Sequence, residues 1–90
     1  MRSISIFGAT GSIGESTFDL IVRAGGADAF RTVALTGSAN IARLAEMART
    51  LRAELAVTAD PSRLAELRDA LAGSGVQAAA GPDAIAEAAD

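Results

Sequence analysis

Three glycines spaced three apart, Gly8, Gly11 and Gly14, separate a short β-branched run from a helical pattern. That junction constrains the fold more than any other feature of the chain. Ser3-Ile4-Ser5-Ile6-Phe7 suits a buried strand ended by Gly8. From Ser12 to about Arg23 the apolar positions Ile13, Thr17, Leu20 and Ile21 follow helical spacing, and Gly25-Gly26 stops the helix. A strand that passes through a tight glycine turn into a helix opens a βαβ unit.

The rest of the chain repeats the alternation. Thr32-Val33-Ala34-Leu35-Thr36 reads as a second strand ended by Gly37. Ile41, Leu44, Ala45, Ala48 and Leu51 form the apolar stripe of a second helix, with Arg43, Glu46 and Arg49 outside. Leu55-Ala56-Val57 is a short third strand, and Asp60-Pro61 reads as a cap followed by proline at the first helical position. Leu64, Leu67 and Leu71 mark the third helix, which Gly73-Ser74-Gly75 closes. Val76 to Ala80 is a weaker fourth strand, after which Gly81-Pro82 restarts a helix still running at Asp90. The expected fold is α/β: a Rossmann-like, doubly wound parallel sheet of about four strands with flanking helices. Such sheets want helices on both faces. Four strands make about half of one, so residues 1–90 are expected to be the amino-terminal part of a longer dinucleotide-binding protein.

Composition narrows the chemistry. Among 90 residues, half are hydrophobic and 21% charged, which excludes intrinsic disorder. Eight arginines against eleven acids leave a net charge of −3, so no basic stripe for a nucleic-acid partner is expected. No apolar run approaches a membrane span, and no signal-peptide core precedes the first strand, which points to a cytoplasmic protein. The chain has neither cysteine nor histidine, which removes thiolate and imidazole ligands, bases and nucleophiles. Carboxylates, hydroxyls, arginine and backbone amides remain.

Those amides suffice to bind an anion. Gly8 permits the tight turn out of the strand, Gly11 lets backbone approach a pyrophosphate, and Gly14 lets the helix start close to the sheet. The helix amino terminus then offers N–H groups from about Thr10 to Ile13, with Thr10 and Ser12 adding hydroxyls. The spacing lacks the Gly-Lys-Ser/Thr ending of a nucleoside-triphosphate loop, so a dinucleotide is the expected ligand. Selectivity is set at the end of the second strand. No acid stands about 20 residues beyond the glycines to grip a ribose 2′-hydroxyl. The chain there reads Gly37-Ser38-Ala39-Asn40, whose amides and small polar groups favour NADP over NAD. Asn40 is equally suited to cap the second helix, and Arg43, one turn on, is either within reach of the phosphate or solvated. Glu15 and Asp19, four apart on one helix, read as solvated acids rather than a catalytic pair. No nucleophile with an activating base is present.

The run Ser3 to Gly14, then Ser16-Thr17-Phe18-Asp19, Thr32 to Thr36, Asn40, Leu44-Ala45-Glu46 and Leu55-Ala56-Val57 resemble the amino terminus of the 1-deoxy-D-xylulose 5-phosphate reductoisomerase family. Aspartate-semialdehyde dehydrogenases and dihydrodipicolinate reductases share looser versions of the glycine loop. The resemblance implies an NADPH-dependent enzyme of the non-mevalonate isoprenoid pathway. That family converts 1-deoxy-D-xylulose 5-phosphate, a phosphorylated sugar, to 2-C-methyl-D-erythritol 4-phosphate with a divalent metal (Mg or Mn), as a homodimer. By matching position, Thr10, Gly11, Ser12 and Ile13 would hold the pyrophosphate, and Ser38, Ala39 and Asn40 the 2′-phosphate end. Many members have Gly-Lys-Asn or Gly-Arg-Asn at that last segment, so this chain lacks the basic partner. The family's metal-binding acids and substrate site lie beyond the equivalent of Asp90, so this chain by itself is expected to be inactive. Two other readings stand beside this one: another NADP-dependent reductase, such as a semialdehyde dehydrogenase, and a stand-alone nucleotide-binding module.

Overall fold

The computed structural model describes residues 2–37, 40–81, 83 and 84. Ser38, Ala39, Pro82 and residues 85–90 lie outside them, so most of the expected final helix falls on residues that are not described. Four parallel strands, β1 (Arg2–Ile6), β2 (Phe30–Gly37), β3 (Leu55–Thr58) and β4 (Gln77–Ala80), form one sheet in the order β1-β2-β3-β4. Three helices connect them: α1 (Ser12–Arg23), α2 (Ile41–Leu51) and α3 (Leu64–Ala70). Pro61–Arg63 is a single 3₁₀ turn that leads into α3, with the Asp60 carboxylate accepting from the Ser62 amide and hydroxyl as its cap.

Each crossover steps to the next strand in the same direction, so right-handed connections place α1, α2 and α3 side by side on one face. The Arg49 guanidinium donates to Ala70 O at 3.0 Å and ties α2 to α3. A doubly wound sheet carries helices on its second face only after the strand order reverses, and no reversal occurs among the described residues. The architecture is therefore the expected four-stranded part of a Rossmann-like sheet with flanking helices, wound one way.

A single row of side chains runs across the sheet toward the helices: Ile6 pairs with Leu35, Leu35 with Ala56, and Ala56 with Ala78. Against it pack Leu44, Ala45, Met47, Ala48 and Leu51 of α2 and Leu67 of α3. The alternating strand and 3.6-residue helix periods thus meet in one core.

The packing of α1 differs from the sequence pattern. Ile13 and Leu20 are 82% and 68% exposed, whereas Gly14 and Phe18 are buried and Ile21 packs partly against the core. Both sets repeat at i, i+4 and i+7 and differ by one residue, about 100° of helix rotation. Gly14 decides between them. A Cβ there would lie 2.1 Å from Gly8 O and 2.6 Å from Ala9 Cα, so the bare backbone of Gly14 must face the loop. Turning Gly14 inward brings Phe18 into the core and leaves Ile13 and Leu20 outside.

Candidate dinucleotide site at the carboxyl ends of β1 and β2

Two loops meet where β1 and β2 end, and β2 holds them together. Gly8 takes φ +69°, the left-handed turn that favours glycine. Its N–H donates to Thr36 Oγ1 at 2.9 Å, and the next amide, Ala9, donates to Thr36 O at 2.7 Å. Thr36 is buried, so a single residue of β2 staples the start of the glycine loop through side chain and main chain together. The sequence reading gave Thr36 no role in the site. Its signal was a polar, β-branched residue at a strand end beside the glycine turn. Thr10 closes the seam: a Cβ on Gly37 would lie 3.1 Å from Thr10 Oγ1 and 3.3 Å from its Cγ2. Gly37 lets the two loops touch.

Beyond the turn the Gly11 amide donates to Gly8 O at 3.0 Å, which removes it from the donors available to an anion. The first N–H of the helical ladder is that of Glu15, donating to Gly11 O at 2.8 Å. The amides of Ser12, Ile13 and Gly14 precede that ladder, and Gly11 at the N-cap has no side chain with which to cap them. The expected Thr10–Ile13 set thus loses Gly11 to the turn and gains Gly14 at the helix start. Gly11 itself is extended (φ −82°, ψ 172°), a conformation open to any residue, and a Cβ there would meet Gly8 O at an ordinary 3.4 Å. Folding does not require glycine at this position.

The second loop is described at its two ends. Gly37 is buried at the end of β2, and Asn40 is the N-cap of α2, its Oδ1 accepting from the Arg43 amide at 3.2 Å. The capping role of Asn40 is thus filled. Arg43 is neither solvated nor held at this loop. It is half-buried between α1 and α2, where Nε and Nη2 donate to the two carboxylate oxygens of Glu15 at 2.8 and 2.6 Å and Nη1 donates to Glu46. Its guanidinium also lies 5.0 Å from the Phe18 ring centroid. The hydrogen bonds from Arg43 hold the Glu15 carboxyl below the usual glutamate range, and Glu15 in turn raises the Arg43 guanidinium. Asp19 pairs separately with Arg23 at 3.0 Å, so Glu15 and Asp19 do not act as a unit.

Among the described residues, no group of three or more His, Cys, Asp or Glu is placed to hold a metal ion, and no helix is long and apolar enough to cross a membrane. The described part of the site is built from backbone amides, hydroxyls and glycines.

The family model for 1-deoxy-D-xylulose 5-phosphate reductoisomerase matches residues 4–90. The chain belongs to this family. It is 75% identical over 89 residues to the 1-deoxy-D-xylulose 5-phosphate reductoisomerase of Paracoccus denitrificans (strain Pd 1222), covering 99% of this chain and 23% of that protein. The Rhizobium meliloti (strain 1021) reductoisomerase is 57% identical, with the same two coverages. The chain thus spans about a quarter of the length of these relatives. Among solved structures, the Zymomonas mobilis reductoisomerase in complex with NADPH superposes with a TM-score of 0.92 at 51% identity, over 98% of this chain and 23% of that one. A reductoisomerase in complex with NADPH, fosmidomycin and magnesium superposes with a TM-score of 0.89 at 31% identity, over 99% of this chain and 22% of that one. The fold expected from the sequence, one half of a Rossmann-like parallel sheet, is the fold of these reductoisomerases over the matched segment.

Proposed function

We propose that residues 1–90 are the amino-terminal, NADPH-binding part of a reductoisomerase. The parent enzyme would convert 1-deoxy-D-xylulose 5-phosphate to 2-C-methyl-D-erythritol 4-phosphate. The observation that carries this reading is the start of α1, where the amides of Ser12, Ile13 and Gly14 precede the helical ladder and Gly11 at the N-cap has no side chain to cap them. The pyrophosphate would lie on the amides of Ser12, Ile13 and Gly14, with the hydroxyls of Thr10 and Ser12 beside it and the α1 dipole behind. Gly8 provides the turn. The adenosine 2′-phosphate would lie against Gly37, Ser38, Ala39 and Asn40, at the amino end of α2. When bound, NADPH supplies the hydride. The role of these residues is to hold and orient the cofactor, and the anion-binding charge comes from oriented amides rather than from lysine or arginine.

Complexes of relatives with NADPH and with magnesium support the same cofactor and a divalent metal for the parent enzyme. The metal's ligands, the phosphorylated-sugar site and the catalytic groups belong to other parts of that protein. A cytoplasmic homodimer completes the reading.

The test is Gly11→Asp in the full-length protein. A carboxylate set against the pyrophosphate should abolish NADPH binding in a fluorescence titration while the protein stays folded. Unchanged affinity would overturn the assignment of the loop.

A further inference from the structure

Glu15 and Arg43 stand in α1 and α2, the two helices that follow the loops to which the proposed function assigns NADPH. Glu15 follows Gly14 directly and stands in the first turns of α1, beside the amides assigned to the pyrophosphate. Arg43 stands in the first turn of α2, and its own amide is bound by Asn40, the last residue of the 2′-phosphate segment. The bidentate pair between them therefore ties the beginning of α1 to the first turn of α2 through two side chains. Glu46 and the buried Phe18 ring fix the guanidinium from the remaining sides. A planar fork held at three places has one orientation, and lysine could not reproduce it.

We propose that the Arg43–Glu15 pair is a strap that sets the distance between the pyrophosphate loop and the 2′-phosphate loop. Arg43 is then a positioning residue for NADPH rather than its phosphate ligand. This rests on the reading of the two loops given above. NADPH is gripped at both loops and NADH at the pyrophosphate alone, so a strap between them matters more for NADPH.

Glu15 separates this idea from simple charge attraction. Removing a carboxylate next to an anion site should tighten NADPH binding by Coulomb's law, and it would also free Arg43 to turn to the 2′-phosphate. A strap predicts the opposite sign, because the loops lose their spacing. Methionine keeps length and helix preference at both positions without accepting or donating these bonds.

The experiment compares Gly11→Asp, Arg43→Met, Arg43→Lys and Glu15→Met in the full-length protein, with NADPH and NADH titrated separately and kcat measured at saturating NADPH. The strap predicts that Arg43→Met and Glu15→Met each weaken NADPH roughly tenfold. NADH should weaken by less, and Arg43→Met combined with Glu15→Met in one protein should be no worse than either single variant. Arg43→Lys should behave like Arg43→Met, and kcat at saturation should hold within about twofold for all three substitutions at these two positions. Tighter NADPH binding by Glu15→Met, or near-normal binding by Arg43→Lys, would assign Arg43 to the phosphate and overturn the strap. Equal losses for both cofactors would reduce the pair to a fold-stabilising contact. If Gly11→Asp still binds NADPH, the loop reading itself fails, whatever the other variants do.

Discussion

Adding one methyl group at Gly14 tests the close approach on which the site depends. In Gly14→Ala the new Cβ would start 2.1 Å from Gly8 O and under 3 Å from two backbone atoms of Ala9, where ordinary contact begins at 3.4 Å. All three neighbours are backbone, so none can swing aside, and the start of α1 must move outward by about 1.3 Å. Overpacking of this kind costs about 3 kcal/mol, while alanine in place of glycine in a helix returns about 1, leaving a net loss of about 2 kcal/mol. Phe18 and Ile21 share the displaced face, so the cost falls on the core. The amides of Ser12, Ile13 and Gly14 move with the helix, and misplacing two charge-assisted hydrogen bonds weakens an anion by roughly 10- to 100-fold. Thermal unfolding of the full-length protein and an NADPH fluorescence titration read the two effects. Gly11→Ala is the control: its Cβ meets only an ordinary contact, so it should melt like the wild type and lose NADPH affinity alone. A Gly14→Ala protein with wild-type melting and wild-type affinity would refute the packing argument. Lost stability with unchanged affinity would separate the helix start from the cofactor.

Ser38→Asp should weaken NADPH more than NADH, since a carboxylate there opposes a 2′-phosphate; equal responses would move Ser38 away from that group. Thr36→Val keeps the shape of the strand end but leaves the Gly8 N–H without its acceptor, at a cost of about 1–3 kcal/mol. Denaturant unfolding reads that loss, and an unchanged midpoint would mean that the staple contributes nothing. Glu15 is held below its usual value of 4.5 chiefly by its hydrogen bond from Arg43, so the pair's contribution is complete above about pH 4.5 and fades as pH falls through the lowered value. Melting temperature should therefore fall less steeply below pH 4.5 in Glu15→Met than in the wild type, and parallel curves would show the pair to be uncoupled from folding.

The repeating units were legible because they are local. α1 and α2 span the residues that helical periodicity and stop signals mark, Ser12–Arg23 and Ile41–Leu51. Strand ends were less so: β2 begins at Phe30 because Arg2 and Ser3 of β1 pair with Phe30 and Arg31, a full crossover away in sequence and invisible to local propensity. The three glycines were legible for a different reason. Gly8 and Gly14 each lack a side chain for a separate geometric need, a positive φ and a close approach to backbone, and those needs follow from the passage of a strand into a helix.

The sequence by itself determined the alternating α/β order, the parallel strands that such crossovers imply, and the glycine turn, since all of these follow from periodicity and backbone stereochemistry. The one-way order of the four strands is a property of the folded sheet. Tertiary structure alone decided which of two equivalent stripes of α1 faces the core. A contact between Gly14 and the Gly8 carbonyl, absent from any periodicity, sets the helix rotation. It likewise decided the fate of Arg43. Long charged side chains reach several partners from one position, and the partner they take depends on which helix the sheet sets alongside. Here the sheet sets α1 beside α2, and Glu15 across that gap, 28 residues away in the chain, claims the guanidinium.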